Sequence, residues 1–438
     1  MRTIVKDTKD NSDGLLGKFL DESHYDELIT DDTDLFVESR WGEPGENECI
    51  FKFRKNVFSQ SEQMGAYTGL VSAATATQNR GLASGPKSGK LNNRDWVTDY
   101  QTAIMNFFIN RSNSIMAKTL DDIEKEFASV SSESSRGIVW LRNKITEEGY
   151  RYDNFFSSKL SEWRTMSPIA AAEDADRTQK LFISDTTYAN QVNSGIAGFY
   201  DRYPRIPYGR ATSYTAKNPE LFSKCFPFMT KLSEKFSELM PNRYAAQKEQ
   251  ADKLDSRFRI SEENTPFTTI TVNKNFRTAA HRDAGDLSAG FSNLTVVAKD
   301  KEWTGGYLVL PEYRIAIDVR PGDLLLINNH EGIHGNTEIL PPEGKELADM
   351  ERISLVCYFR EKMLELGSWE YEQLRYEFVE SRRLRKNDPK FNGVTEGMWS
   401  SKEWYRYLGD LGGGKMLRTY HPEYVTQQET NTLTGFFG

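Results

Sequence analysis

The spacing of apolar and polar positions changes rhythm along the chain, and the change marks its most ordered stretch. From Thr268 to Tyr358 apolar residues recur with a period near two, in short runs broken by Gly, Pro and polar residues. That is the pattern of half-buried strands. It predicts strands over 267–272, 292–298, 306–310, 314–319, 322–327 and 352–359, with Gly305-Gly306, Pro311 and Pro321-Gly322 as breaks. Ile50-Phe51-Lys52-Phe53 alternates in the same way. Elsewhere the period is helical. Helices are expected over Glu62–Ala76, with Ser61 as N-cap, between Asp95 and Ala128, and from Phe155 to Trp163. A further long stretch from Pro219 to Lys253 is divided by Pro227 and Pro241. After Phe359, Glu361 to Arg385 is again helical and ends in the basic run Ser381 to Lys386.

Many short antiparallel strands with helices before and after them predict an α+β fold. The expected core is a double-stranded β-helix (jelly roll, cupin-like) flanked by helices, with a helical C-terminal extension. The expected division is a loosely held acidic leader at 1–48, a large domain at 49–360 with its jelly-roll core at about 193–360, and the extension at 361–438.

Charge and cysteine content narrow the classes. The net charge is -8, yet residues 1–48 alone carry 14 Asp/Glu against five Lys/Arg, so the remaining 390 residues sum to about +1. The acidity belongs to the leader. The body neither repels a polyanion nor shows the basic excess usual in a dedicated DNA binder. The three cysteines, Cys49, Cys225 and Cys357, are far apart and show no C-x-x-C spacing. A disulfide framework and a cysteine zinc site are therefore not expected. Neither a membrane-length apolar run nor an apolar signal core occurs. The expectation is a soluble intracellular protein with no membrane partner. Oligomeric state leaves no trace in the sequence.

Three of the five histidines lie in two short loops of the strand-rich stretch: His281-Arg282-Asp283, and His330-Glu331-Gly332-Ile333-His334. An H-x-D at a strand end turns its two donors to one side. A histidine from a later strand would complete a two-histidine, one-carboxylate face on Fe(II), leaving three positions open. Two of these suit the keto and carboxylate oxygens of 2-oxoglutarate, and the third suits dioxygen. The far carboxylate of 2-oxoglutarate needs a fixed cation, and a guanidinium fork pairs with it through two parallel bonds. Arg352 leads into the apolar strand Ile353 to Phe359, where a charge is costly without an anion. Ser354 falls on the same strand face as Arg352.

The second loop also matches H-E-x-x-H literally, the zinc-protease motif, which requires a helix. Asn328-Asn329, Gly332 and Gly335 disfavour one here. Only one of His330 and His334 is then expected to bind metal.

At this point the chain resembles the TET/JBP family of Fe(II)/2-oxoglutarate dioxygenases, more closely the J-binding-protein side and its phage and bacterial relatives. The resemblance is carried by Asn79-Arg80-Gly81 with Ala83 and Gly85, by Gly198-Phe199-Tyr200-Asp201-Arg202, and by Arg210 to Thr215. It continues through Asn273 to Ala279, His281 to Asp286, Gly305-Gly306, Leu310-Pro311-Glu312-Tyr313 and Val319 to Asp323. It ends with Ile333 to Thr337 and Arg352 to Tyr358, and so covers about residues 48–360. No cysteine-rich zinc region of the TET kind and no separate DNA-binding domain of the J-binding-protein kind is recognisable.

The resemblance implies that His281, Asp283 and His334 are the iron ligands, that Arg352 with Ser354 holds 2-oxoglutarate, and that Asn273 joins that site. The function it implies is oxidation of the 5-methyl group of 5-methylcytosine or thymine in DNA, with the base flipped into a pocket. Arg80, Arg210, Thr212, Tyr214, Asp286 and His330 are candidates for contacts to the substrate or behind the ligands. Tyr200, Tyr208 and Tyr214 are candidates to stack on the base, against the plainer reading of core packing. An oxygenase acting on a free nucleotide, a small metabolite or a protein side chain is the alternative. A binding module with a degenerate site is a third, which the intact ligand set opposes.

Overall fold

The computed structural model describes residues 1–7, 10–39, 41–77, 80–86, 119–129, 138–139, 142, 152–167, 170–171, 190–202, 208–261, 265–283, 285–299, 302–384 and 401–425. The chain packs as two units, one of Met1–Pro86 with Gln191–Gly438 and the other of Lys87–Asn190. The large domain expected at 49–360 thus contains a separately packed insertion.

The strands of the first unit begin with β1 (Arg2–Lys6), β2 (Glu27–Ile29), β3 (Thr33–Val37), β4 (Cys49–Arg54) and β5 (Thr75–Thr77). Then come β6 (Val192–Arg202), β7 (Tyr208–Ala211), β8 (Thr269–Lys274), β9 (Ser292–Ala298), β10 (Thr304–Gly305) and β11 (Leu308–Leu310). The last are β12 (Ile315–Ile317), β13 (Leu324–Ile327), β14 (Gly335–Asn336), β15 (Ile339–Leu340) and β16 (Arg352–Tyr358). They make a ten-stranded sheet in the order β1-β3-β4-β13-β9-β16-β8-β6-β5, with β7 paired to β6. A four-stranded sheet runs β14-β11-β12-β2, and β10 pairs with β15. The predicted strands are all present, their ends shifted by no more than about two residues. The result is a mixed α/β structure with large sheets.

The period of two sorts the side chains of the large sheet onto two faces. Ile353, Leu355 and Cys357 of β16, Ile270 and Val272 of β8, and Leu324 and Leu326 of β13 join a core built with Ala66, Leu70, Met229, Leu232 and Phe236 from two helices. The alternate residues, among them Phe51, Phe53, Leu294, Val296, Leu325, Ile327 and Val356, pack against Leu308, Leu310, Ile315 and Ile317 of the smaller sheet. The large sheet is therefore covered by helices on one side and by a second sheet on the other. The candidate site lies on the sheet-facing side.

The helices beneath it are Gln60–Leu70, Phe226–Leu239 and Pro241–Lys253. The first is capped by Ser59, not Ser61: the Ser59 side chain accepts from the Glu62 N–H, and Glu62 reaches back to the Ser59 N–H at 2.7 Å. It ends at Leu70, short of the expected Ala76, because the chain turns there into β5. The prolines at 227 and 241 open helices, where their missing N–H is no loss.

Residues 1–48 are not a loose leader. β1 pairs with β3, β3 with β4, and β2 with β12, so the segment adds strands to both sheets. Leu20 and Leu35 are fully buried and Ile29 nearly so. The acidic average hid a few well-spaced apolar residues that carry the packing.

After β16, helices Trp369–Leu384, Ser401–Asp410 and Gly414–Tyr420 bury Tyr371, Phe378, Trp404 and Leu408. The side chains of the basic run from Arg382 to Lys386 lie outside the described residues. In the second unit, Leu120–Ala128, capped by Thr119, packs on Tyr152–Thr165 with Ile123, Leu160 and Trp163 buried. The earlier part of the helix expected from Asp95 lies outside the described residues. No helix among the described residues is long and apolar enough to cross a membrane.

Candidate active site

The two ligand loops meet through their backbones. His281 and His334 form an isolated antiparallel bridge, His281 N–H to His334 O at 2.9 Å and His334 N–H to His281 O at 3.0 Å. Their rings lie 4.3 Å apart. The Asp283 N–H donates to Asn329 O at 3.0 Å, and the Asn329 side-chain amide reaches Asp283 Oδ2 at 3.3 Å. Three donor atoms, one each from His281, Asp283 and His334, consequently lie within 4.8 Å of one another.

Both rings turn Nδ1 to a backbone carbonyl and Nε2 toward Asp283. His281 Nδ1 lies 2.8 Å from Ala279 O, and His334 Nδ1 lies 3.1 Å from Gly332 O. A carbonyl only accepts, so each Nδ1 carries the proton and each Nε2 presents its lone pair. Those Nε2 atoms lie 3.5 Å and 3.7 Å from Asp283 Oδ1 and Oδ2. Burial, and then the neighbouring His281, pull the His334 imidazole down to about 4. Burial also depresses His281, but the Asp283 carboxylate outweighs it and leaves that ring above its ordinary value. Asp283 stays below its usual range, because the two imidazoles outweigh its burial. A neutral His334 beside an ionised Asp283 is a donor set that suits a divalent transition metal.

A cavity of about 380 Å³ opens from this face, within the roughly 300–1,000 Å³ common for small-molecule sites. All three donors line it, together with Arg352, Ser354, Asn273, Arg80 and Asp286. Arg352, Ser354, Val356 and Tyr358 are alternate residues of β16, which is why one strand supplies a whole wall. Thr271 and Asn273 of β8 line it in the same way, and Asn273 sits opposite Ser354 in the strand register. The Asn273 Oδ1 accepts a hydrogen bond from Ser194.

Arg352 is 3% exposed, and its guanidinium lies 5.5 Å from the Trp303 ring. Its Nε has no hydrogen-bond partner among the described residues. Burial and nearby Arg320 pull it down to about 10. A guanidinium keeps its proton at neutral pH regardless, so a buried cation stands here with its Nε unpaired among the described residues. The buried Nε and the donor set are what an anionic cosubstrate beside a ferrous ion would satisfy, so these residues fit both groups.

The remaining candidates divide. Arg80 lines the cavity with its Nε unpaired among the described residues. Asp286 also lines it, bonded to Ser292 Oγ, and burial with the nearby Asp283 raises it well above the ordinary carboxyl value. Arg210, Thr212 and Tyr214 do not line this cavity. Arg210 lies over the Tyr200 ring at 5.8 Å; Thr212 caps the short helix Ser213–Lys217; Tyr214 donates to Gly69 O at 2.6 Å. Tyr208 is fully buried against Tyr376, in the core-packing role. Tyr200 does not line the cavity either. His330 stands in the turn after β13, outside the donor cluster, and no helix forms there, so the zinc-protease geometry is absent.

Sequence reasoning missed Asn329, which supports Asp283; Tyr358 and Arg360 in the cavity wall; and Leu82, 55% exposed at the cavity. Arg360 pairs with buried Asp201, a partner 159 positions away that no local pattern reveals.

Residues 195–361 match Tet_JBP, the oxygenase domain of the 2OGFeDO superfamily. The chain is 33% identical over 210 residues to the thymine dioxygenase JBP1 of Leishmania braziliensis, covering 47% of this chain and 24% of that protein. It is 32% identical over 198 residues to the bifunctional helicase and thymine dioxygenase JBP2 of Leishmania infantum, covering 45% of this chain and 17% of that one. The chain therefore spans a quarter or less of the length of these relatives. A solved NgTET1 in complex with 5mC DNA aligns over 44% of this chain and 69% of its own at 17% identity, with a TM-score of 0.32, too slight a likeness to bear on fold or function. His281, Asp283, His334 and Arg352 all lie inside the segment, residues 195–361, that matches the Tet_JBP oxygenase domain.

Proposed function

We propose that this chain is an Fe(II)- and 2-oxoglutarate-dependent dioxygenase, with a double-stranded β-helix core, that hydroxylates the 5-methyl group of a pyrimidine in DNA. The observation that carries the chemistry is the shared cavity: three inward-turned donors and a buried, anion-hungry guanidinium line the same walls. His281, Asp283 and His334 would hold the iron. Arg352 would take the far carboxylate of 2-oxoglutarate through its fork, with Ser354 and Asn273 beside it. With iron and 2-oxoglutarate held there, dioxygen would be the oxidant: one of its oxygen atoms would go to the C–H bond, giving the alcohol, and the other to 2-oxoglutarate, giving succinate and carbon dioxide.

The chain's own work is placement. The carbonyls of Ala279 and Gly332 keep both Nε2 atoms turned inward, and Asn329 fixes the carboxylate. Leu294, Val296, Leu308 and Val319 form an apolar wall that excludes water from the reacting centre. A methyl group stacked in duplex DNA is out of reach of such a cavity, so the base has to leave the stack. Arg80 and Asp286 are the polar wall groups available to it. The thymine dioxygenases that share a third of the aligned residues make thymine the first base to test, with 5-methylcytosine second.

The test is mass spectrometry of nucleosides from DNA carrying either base, after incubation with the full chain, Fe(II) and 2-oxoglutarate. The expected product is a nucleoside heavier by one oxygen, formed with succinate. Succinate without an oxidised base in DNA would move the substrate to a free nucleotide, metabolite or protein side chain. Absence of both would overturn the proposal.

A further inference from the structure

Behind the donor cluster, the polar contacts converge on one side chain that does not face the metal. Glu312 lies in the turn Pro311–Tyr313 between β11 and β12 and is 2% exposed. Its two carboxylate oxygens go to different loops. Oε2 accepts the N–H of Ile333, the residue before His334, at 2.9 Å. Oε1 faces Nη2 of Arg282, the residue between His281 and Asp283, at 3.4 Å. Arg282 is itself held from two further directions, Nε to Glu331 O at 3.1 Å and Nη2 to Asp13 at 2.8 Å.

The N-terminal segment braces this arrangement from outside. Asp10 N–H donates to the Glu312 carbonyl at 2.8 Å. Gly17 N–H donates to Ala280 O at 2.8 Å, and Ala280 N–H to Lys18 O at 2.9 Å, next to His281. Asp10 to Lys18 lies outside the matched oxygenase segment, yet it grips the ligand-bearing chain directly.

A buried carboxylate is costly unless each oxygen is paired, and an apolar residue would fill this turn more cheaply if packing were its only task. Here the charge spans two loops that share no covalent neighbour. We propose that Glu312 is a positioning residue of the metal site: it sets the separation of the His281–Asp283 loop from the His334 loop, with Arg282 and the Asp10–Lys18 segment as its brace. The inference rests on the reading of His281, Asp283 and His334 as metal ligands.

The test is cobalt(II) affinity of the full chain, followed by absorption titration without any turnover, beside thermal melting of the metal-free protein. In Glu312→Gln the amide still accepts from Ile333 but loses its charge toward Arg282. Cobalt affinity is expected to fall about 10- to 100-fold, the usual cost of removing a group that orients metal ligands. Arg282→Met, at the exposed end of the same bridge, is expected to weaken binding in the same sense. Cobalt affinity within twofold of the parent in a folded Glu312→Gln protein, whatever its melting temperature, would show a carboxylate that merely stabilises the fold and overturn the inference. If Glu312→Gln does not fold, Arg282→Met decides by the same twofold criterion. A parent chain that binds no cobalt overturns the metal site and this inference together; parental binding with an unaffected variant overturns the inference alone.

Discussion

At the residue scale the site rests on protons and lone pairs. Metal binding competes with protons for Nε2, so pH dependence reports on each imidazole. His281 sits above the ordinary histidine value and is protonated first as pH falls, whereas His334 does not follow until about 4. Metal affinity is therefore expected to start weakening above the usual histidine range and to fall with a slope near one proton through mildly acidic pH. Titration at several pH values checks this, and a two-proton slope near pH 6 would contradict it. Arg352 offers a second test. Arg352→Met keeps the wall apolar and removes the fork, so KM for 2-oxoglutarate is expected to rise about 100-fold, from the few kcal/mol of a charge-assisted bidentate pair. Cobalt affinity should stay near the parental value. At this scale the sequence was most legible: H-x-D, the two later histidines and the arginine stand out by side-chain type, the resemblance picks His334 over His330, and the structure gathers His281, Asp283 and His334 at one cavity with Arg352. Asn329 and Glu312 could not, since an amide or a carboxylate next to a ligand loop has no type signature and acquires its role only when loops 20 or more residues apart meet.

At the element scale the alternation of β16 is what makes a site. Ile353, Leu355 and Cys357 anchor the strand to the helix layer, which leaves Arg352, Ser354, Val356 and Tyr358 facing the cavity. This much was readable from the period of two. The end of the first helix was not, because Val71 to Ala76 is compatible with either state, and pairing of Thr75–Thr77 with β6 decided it. That pairing brings β6 so close that a Cβ on Gly195 would stand 1.9 Å from the Ala73 carbonyl oxygen. Backbone cannot give way as a side-chain end can. Gly195→Ala is expected to lower stability by about 2 kcal/mol or more, in the range of severe packing faults, measured by denaturant unfolding; a change under about 0.5 kcal/mol would contradict the close approach.

At the scale of the whole molecule, the part least legible in sequence is the N-terminal one. Its acidic composition suggested a solvated leader, yet β1, β2 and β3 join both sheets and the Asp10–Lys18 stretch reaches the ligand loop. Composition averages over residues, while packing needs only a few apolar side chains in register, here Leu20, Ile29 and Leu35. Leu35→Asp would place a charge at a fully buried position and is expected to leave too little folded protein to melt cooperatively. A variant that melts like the parent would return the segment to the status of a leader. The net charge follows the same logic: the acidity is gathered at this end and leaves the rest of the chain near neutral, compatible with a nucleic-acid substrate without announcing one.

The central claim is that one ion and one diacid share the cavity. Crystals of the full chain grown without oxygen in the presence of Fe(II) and 2-oxoglutarate, examined by anomalous scattering at the iron edge, test it most directly. A single iron peak is expected, bound by the Nε2 atoms of His281 and His334 and by the Asp283 carboxylate, with 2-oxoglutarate between it and the Arg352 guanidinium. Iron held by His330 instead of His334, or a diacid bound away from Arg352, would contradict it.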